Sequence, residues 1–227
     1  LERLEAVFLT HFHSDHIADL GEVISRSWML GRQAELPVHG PPGVERLVEG
    51  FNLVYATDET YRNGHHGDEI MPPGVLAAVA RPFDEATPEG ILVYDEGGVT
   101  VRAFRVDHSP VEPAVGYRVE HRGRVVGISG DTIDTAGFRA LAQDADILVS
   151  DVMEKRFMLD AACGLSRAGG ERNATIFRDI MEYHVDLLEV GFHRVEPLGG
   201  NVALAEQLEL EPESRQRRAE LVRDTGH

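Results

Sequence analysis

The chain has 227 residues, 42% of them hydrophobic and 27% charged, which is enough apolar material for a sizeable core and excludes a disordered or fibrous chain. Against 22 Lys and Arg stand 39 Asp and Glu, a formal net charge of −17, so the surface repels polyphosphates on average and a nucleic-acid partner starts at a disadvantage. No uncharged apolar run approaches the roughly 18 residues of a membrane span, and the first residues do not read as a signal peptide.

An apolar strand at residues 6–10 runs straight into His11-Phe12-His13-Ser14-Asp15-His16. Ile17, Leu20, Ile24 and Trp28 then recur at spacings of three and four, which predicts a helix. Residues 36–40 read as a short strand, and Pro41-Pro42-Gly43 opens a second helix that reaches about Phe51. From about residue 56 to 88 the pattern fades, and a connection of that length predicts a functional loop or lid, with His65 and His66 in a solvated turn. Strands follow at 91–94, 99–106, 115–119 and 124–129, the last two joined by a hairpin turn at Arg122-Gly123. A helix carrying Phe138 and Leu141 and a buried strand at 147–149 come next. Beyond 155 helical patterning dominates, and Trp28 and Cys163 are expected in the core. The order predicts an α/β protein with one domain over residues 1–200 and a charged, helical tail over 201–227.

The chemistry concentrates at the first histidine run. Residues i and i+2 of an extended segment project to the same side, so His11 and His13 can grip one ion. Asp15 and His16 point back from the first helical turn toward a neighbouring position. Imidazoles and a carboxylate suit Zn²⁺, with Mn²⁺ or Fe as alternatives. Cys163 is the only cysteine, so a cysteine-based zinc site is excluded and His, Asp and Glu must supply the ligands. His108 and Asp131 each end a strand, where α/β proteins present functional groups. We take both as ligands; the alternative for Asp131 is a helix N-cap. Asp151 ends a further strand and is read as supporting rather than ligating.

The Thr-His-x-His-x-Asp-His run, the lone downstream His108 and Gly130-Asp131-Thr132 resemble the metallo-β-lactamase fold hydrolases, closest to their ribonuclease Z and arylsulfatase-like branch, over roughly residues 4–197. The resemblance implies a four-layer αββα sandwich, here without its N-terminal strands and part of its C-terminal region. It implies two Zn²⁺: one on His11, His13 and His108, the other on Asp15, His16 and a later histidine, with Asp131 bridging. The segment around His193 resembles the one carrying the last zinc ligand, and the segment ending at His184 the one carrying a non-ligand catalytic histidine. In the family a helix and a strand separate these two segments, whereas here His184 and His193 lie close together, so His184 is the alternative ligand.

Together these readings predict a binuclear metal hydrolase in which the ions activate water and polarise an ester, Asp15 orients the nucleophile and His184 protonates the leaving oxygen. The acidic composition, with no basic cluster in residues 41–90, favours a small phosphodiester, sulfate ester, carboxylic ester or lactone. A ribonuclease Z-type enzyme trimming transfer-RNA 3′ ends is the alternative, and a non-catalytic metal-binding member of the fold is an alternative of another class. The sheet edge left bare without the N-terminal strands predicts a homodimer.

Overall fold

The computed structural model describes residues 1–182, 184–186, 195–198 and 202–205. β1 (Val7–Phe8) leads through the histidine run into the single turn α1 (Ser14–Ile17) and then α2 (Leu20–Met29). Leu20, Ile24 and Trp28 are buried, as their spacing predicts. β2 (Leu36–Gly40) pairs in parallel with β1, and α3 (Val44–His66) follows.

α3 is longer than the sequence suggests. It replaces the first part of the expected loop, and His65 and His66 form its exposed last turn. The reason is visible in its burial: only Val44 and Val48 are buried, so most of the helix has no periodic apolar face to read. Local bonds hold its outer part instead, including Arg62 to Asp58 one turn earlier at 2.7 Å and the Thr60 hydroxyl to the Ala56 carbonyl. β3 (Ala78–Pro82), also missed, pairs in parallel with β2 and completes a three-stranded sheet ordered β1-β2-β3.

β4 (Ile91–Glu96), β5 (Val99–Arg105), β6 (Val115–His121) and β7 (Arg124–Ile128) form an antiparallel meander close to the expected strands. The β6–β7 hairpin turns on Arg122 and Gly123, both with positive φ, the geometry that matches strand twist in a two-residue loop. α4 (Ala136–Ala142) starts at Thr135, whose side chain accepts from the Phe138 N–H. Asp131 is therefore not the N-cap of this helix.

β8 (Ile147–Ser150) joins β7 in parallel, and β9 (Val152–Met153) follows directly. α5 (Lys155–Arg167) and α6 (Glu171–Ile180) form a helical pair, with Cys163 exposed on α5, where Ala162 is the buried residue, rather than in the core. β10 (Val185–Asp186) pairs in parallel with β9. β11 (Val195–Leu198) and β12 (Val202–Ala205) extend the large sheet to the order β11-β12-β8-β7-β6-β5-β4. The helical tail expected after residue 205 lies outside the described residues.

Side-chain alternation sorts the layers. α2 and α3 cover the outer face of the small sheet around Ile24, Trp28, Leu36 and Val38. Val101, Ala103, Val115 and Tyr117 of the large sheet face inward and meet Phe8 of β1. Phe104 points to the opposite face, where Phe138 and Leu141 of α4 cover it. The result is the α-β-β-α sandwich, with the histidine run emerging from the end of β1 between the two sheets.

Candidate metal centre

Backbone bonds fix where the first motif sits. The Val115 N–H donates to the Thr10 carbonyl at 3.0 Å, and the Tyr117 hydroxyl to the Leu9 carbonyl at 2.6 Å, so β6 clamps the end of the strand that delivers His11. The Thr10 hydroxyl lies 3.1 Å from His11 Nδ1 and turns the other ring nitrogen inward. Gly130, at φ +61°, lets the β7 end approach Thr10 so closely that an added Cβ would lie 2.8 Å from Thr10 Cβ.

These constraints gather residues that the sequence scatters. His11 Nε2 is 3.2 Å from His13 Nδ1, and His108 Nε2 is 3.3 Å from the same atom. Asp131 Oδ2 lies 3.9 Å from His11 Nε2 and 3.6 Å from His108 Nε2. One ligand atom from each of His11, His13, His108 and Asp131 falls within 4.8 Å of all the others. The same oxygen is approached by the Nε2 atoms of His16 and His184, each 3.2 Å from Oδ2. Asp15 reaches His16 at 3.6 Å with its carboxylate largely in solvent.

A second grouping, Asp131, Asp151 and His184, also brings its ligand atoms within 4.8 Å of one another. Asp151 is the residue that sequence reasoning undervalued. Its place at a strand end after Leu148-Val149-Ser150 was the available signal, but the proximity to His184 comes from the β9–β10 pairing. His184 is held from both sides: Nδ1 donates to the Ile180 carbonyl at 2.9 Å, and Nε2 faces Asp131 and Asp151, each at 3.2 Å. His193 lies outside the described residues. His65 and His66 sit on α3, away from the cluster.

The electrostatics fit a cation. Burial, reinforced by the neighbouring His16, lowers the His11 pKa to about 4, which keeps the imidazole in its neutral, ligating form. Burial opposes ionisation of Asp131, but the hydrogen bond from His184 and the nearby His16 overcome it and hold the carboxyl at about 2. Burial and the adjacent Asp131 push Asp151 up to about 6. For His184 burial favours the neutral ring, and the hydrogen bonds to Asp131 and Ile180 outweigh it and raise the pKa to about 9. Among the described residues Asp131 Oδ1 is buried without a hydrogen-bond partner. A buried carboxylate with one oxygen lacking a donor and the other, Oδ2, approached by imidazole nitrogens matches the donor set of a divalent metal and costs stability without one. The cluster opens into a cavity of about 970 Å³, bordered by Asp15, Asp151, Met153 and the Ser109–Val111 segment.

The sequence profile of the β-lactamase superfamily domain matches residues 1–188. Ribonuclease Z of Mycobacterium bovis (strain BCG / Pasteur 1173P2) is 39% identical over 155 residues, which cover 67% of this chain and 52% of that protein. Ribonuclease Z of Mycolicibacterium gilvum (strain PYR-GCK) is 35% identical over 185 residues, covering 80% of this chain and 58% of that protein. The chain spans about half the length of the curated relatives it matches. The crystal structure of the short form of human tRNase Z aligns with a TM-score of 0.48 at 19% identity, covering 82% of this chain and 73% of that one.

Proposed function

The chain belongs to the β-lactamase superfamily, in the ribonuclease Z-like branch of the metallo-β-lactamase fold hydrolases, and from that premise we propose that it is a zinc-dependent phosphodiesterase that cleaves RNA, with transfer-RNA 3′ ends as the substrate class. Composition alone favours a small ester; the ribonuclease Z relatives favour the RNA alternative instead. The observation that carries the reading is Asp131, a buried carboxylate approached by His11, His16, His108 and His184, the last three lining one cavity with it.

His11, His13 and His108 would hold one ion with Asp131. Asp15, His16 and a later histidine would hold a second with the same carboxylate, and His193 is proposed for that last place. Divalent ions bound there supply Lewis acidity toward water and the phosphate, and positive charge in an otherwise acidic chain. The chain's own residues do the rest. Thr10 and the β6 clamp fix the His11 ring before substrate arrives. Asp15, exposed at the mouth of the cavity, orients the attacking water. His184 holds a proton at Nε2, where two carboxylates face it, and delivers that proton to the leaving ribose oxygen. The ring's remaining N–H, at Nδ1, stays bonded to the Ile180 carbonyl and holds the imidazole in place.

The test is cleavage of a 3′-extended tRNA precursor by zinc- or manganese-loaded protein, read by gel. We expect a cut at the 3′ side that His13→Ala abolishes. Hydrolysis of bis(p-nitrophenyl) phosphate with the tRNA precursor left intact would return the reading to a small ester. Bound metal with neither substrate cleaved would favour the non-catalytic alternative.

A further inference from the structure

Beside the metal centre lies a second cavity, of about 340 Å³, which the chemistry above does not use. Pocket volumes of roughly 300–1,000 Å³ are those of small-ligand sites, and this one is at the nucleoside end of that range. Its floor is apolar and buried, built from Pro41, Ala86, Val106, Ala114 and Val115. Its rim carries three exposed charges, Glu85, Arg105 and Glu112. Among the described residues none of the three has a side-chain hydrogen bond or ion pair. Floor and rim therefore offer an apolar surface under two carboxylates and one guanidinium.

The two cavities share a wall. Ser109–Val111 borders the metal pocket, and Glu112–Val115 borders the second cavity. Val115 donates to the carbonyl of Thr10, the residue before His11, and Val106 precedes His108 by two positions and donates to the Ala114 carbonyl. The lining passes from one cavity to the other between the consecutive residues Val111 and Glu112, so a chain occupying the metal centre has the second cavity as its neighbour. The floor suits a stacked planar ring. Two carboxylates against one guanidinium leave the rim negative, which repels phosphate and selects a neutral group rich in N–H donors. Adenine, cytosine and guanine present an exocyclic amine to a carboxylate, whereas uracil presents two carbonyls around a single N–H.

We propose that this cavity binds the unstacked base of the nucleotide flanking the scissile phosphate and prefers amino-bearing bases over uracil. The inference rests on the RNA-cleaving reading above, and it can be tested apart from it. Nucleosides contain no scissile phosphodiester, so their binding is independent of catalysis. Titration of the full chain with adenosine, cytidine, guanosine and uridine, followed by backbone amide shifts, should move Ala86, Val106 and Ala114. Uridine should bind about tenfold more weakly, the worth of one hydrogen bond to a charged group. Glu85→Gln and Glu112→Gln, both at exposed positions, should erode that preference while keeping the fold. Shifts absent from these residues, or equal for all four nucleosides, would overturn the proposal even in an active ribonuclease. Selective shifts in a protein that cleaves no RNA would sustain the cavity and refute the ribonuclease reading.

Discussion

His184 Nε2 lies 3.2 Å from Asp151 Oδ2, a contact produced by the parallel pairing of Val185–Asp186 with Val152–Met153. Two short strands thus carry a carboxylate and an imidazole from distant parts of the chain to the edge of one cavity, where the same ring also meets Asp131.

That arrangement separates two roles. If His184 is a proton donor, His184→Ala should retain bound metal and slow substrates with poor leaving groups by about 10²–10⁴-fold, while p-nitrophenyl esters are relatively spared. Asp151→Asn should show a smaller loss of the same selectivity. His193→Ala, in contrast, should lower metal content and damage all substrates alike. Elemental analysis beside rates for alkyl and nitrophenyl esters distinguishes these cases. Loss of metal in His184→Ala instead would reverse the assignment of the two histidines.

The first motif predicts metal content directly. Purified protein should carry about two divalent ions per chain, His13→Ala should lose most of one, and Asp131→Ala should lose both, the outcome expected of the carboxylate proposed to hold both ions. Chelation should lower the unfolding midpoint, since a ligand that binds only the folded state at a hundred times its Kd contributes about 2.7 kcal/mol. A chelator that leaves the midpoint and the metal analysis unchanged would refute the centre.

Gly130 tests how the centre is assembled. It combines φ +61° with a Cβ position 2.8 Å from Thr10 Cβ, so Gly130→Ala meets both backbone strain and a clash beside His11. We expect a loss of about 2 kcal/mol in urea unfolding, together with weaker metal retention. An unchanged urea midpoint would show that the close approach is dispensable.

Arg32 tests the fold away from the centre. It is buried and donates to the carbonyls of Ile24, Ala34, Val75 and Leu76 and to the Ser27 hydroxyl, pinning the segment before β3 to the end of α2. Arg32→Met strands several buried acceptors and should cost about 3 kcal/mol. Arg32→Lys should recover little, because an ammonium cannot reproduce the planar fork. Ser27→Ala should cost only about 1 kcal/mol. Denaturant midpoints for the three variants give the ranking.

The sequence by itself determined much of the scaffold and the nucleus of the site. Ile24 and Trp28 announce α2, the alternating runs announce the meander, and His11, His13, Asp15 and His16 are legible because neighbouring residues on an extended segment and its first helical turn must lie close in space. His108 and Asp131 were legible only as strand ends. Tertiary structure decided the rest, since which strand ends meet depends on sheet order and register, and local periodicity encodes neither. It set His184 between Asp131 and Asp151, left Asp131 Oδ1 without a donor among the described residues, and placed a second cavity across a shared loop from the metal pocket. The second half of α3 escaped for the complementary reason: a helix that buries almost nothing along its length imposes no hydrophobic period, and only its folded neighbours and local bonds reveal it.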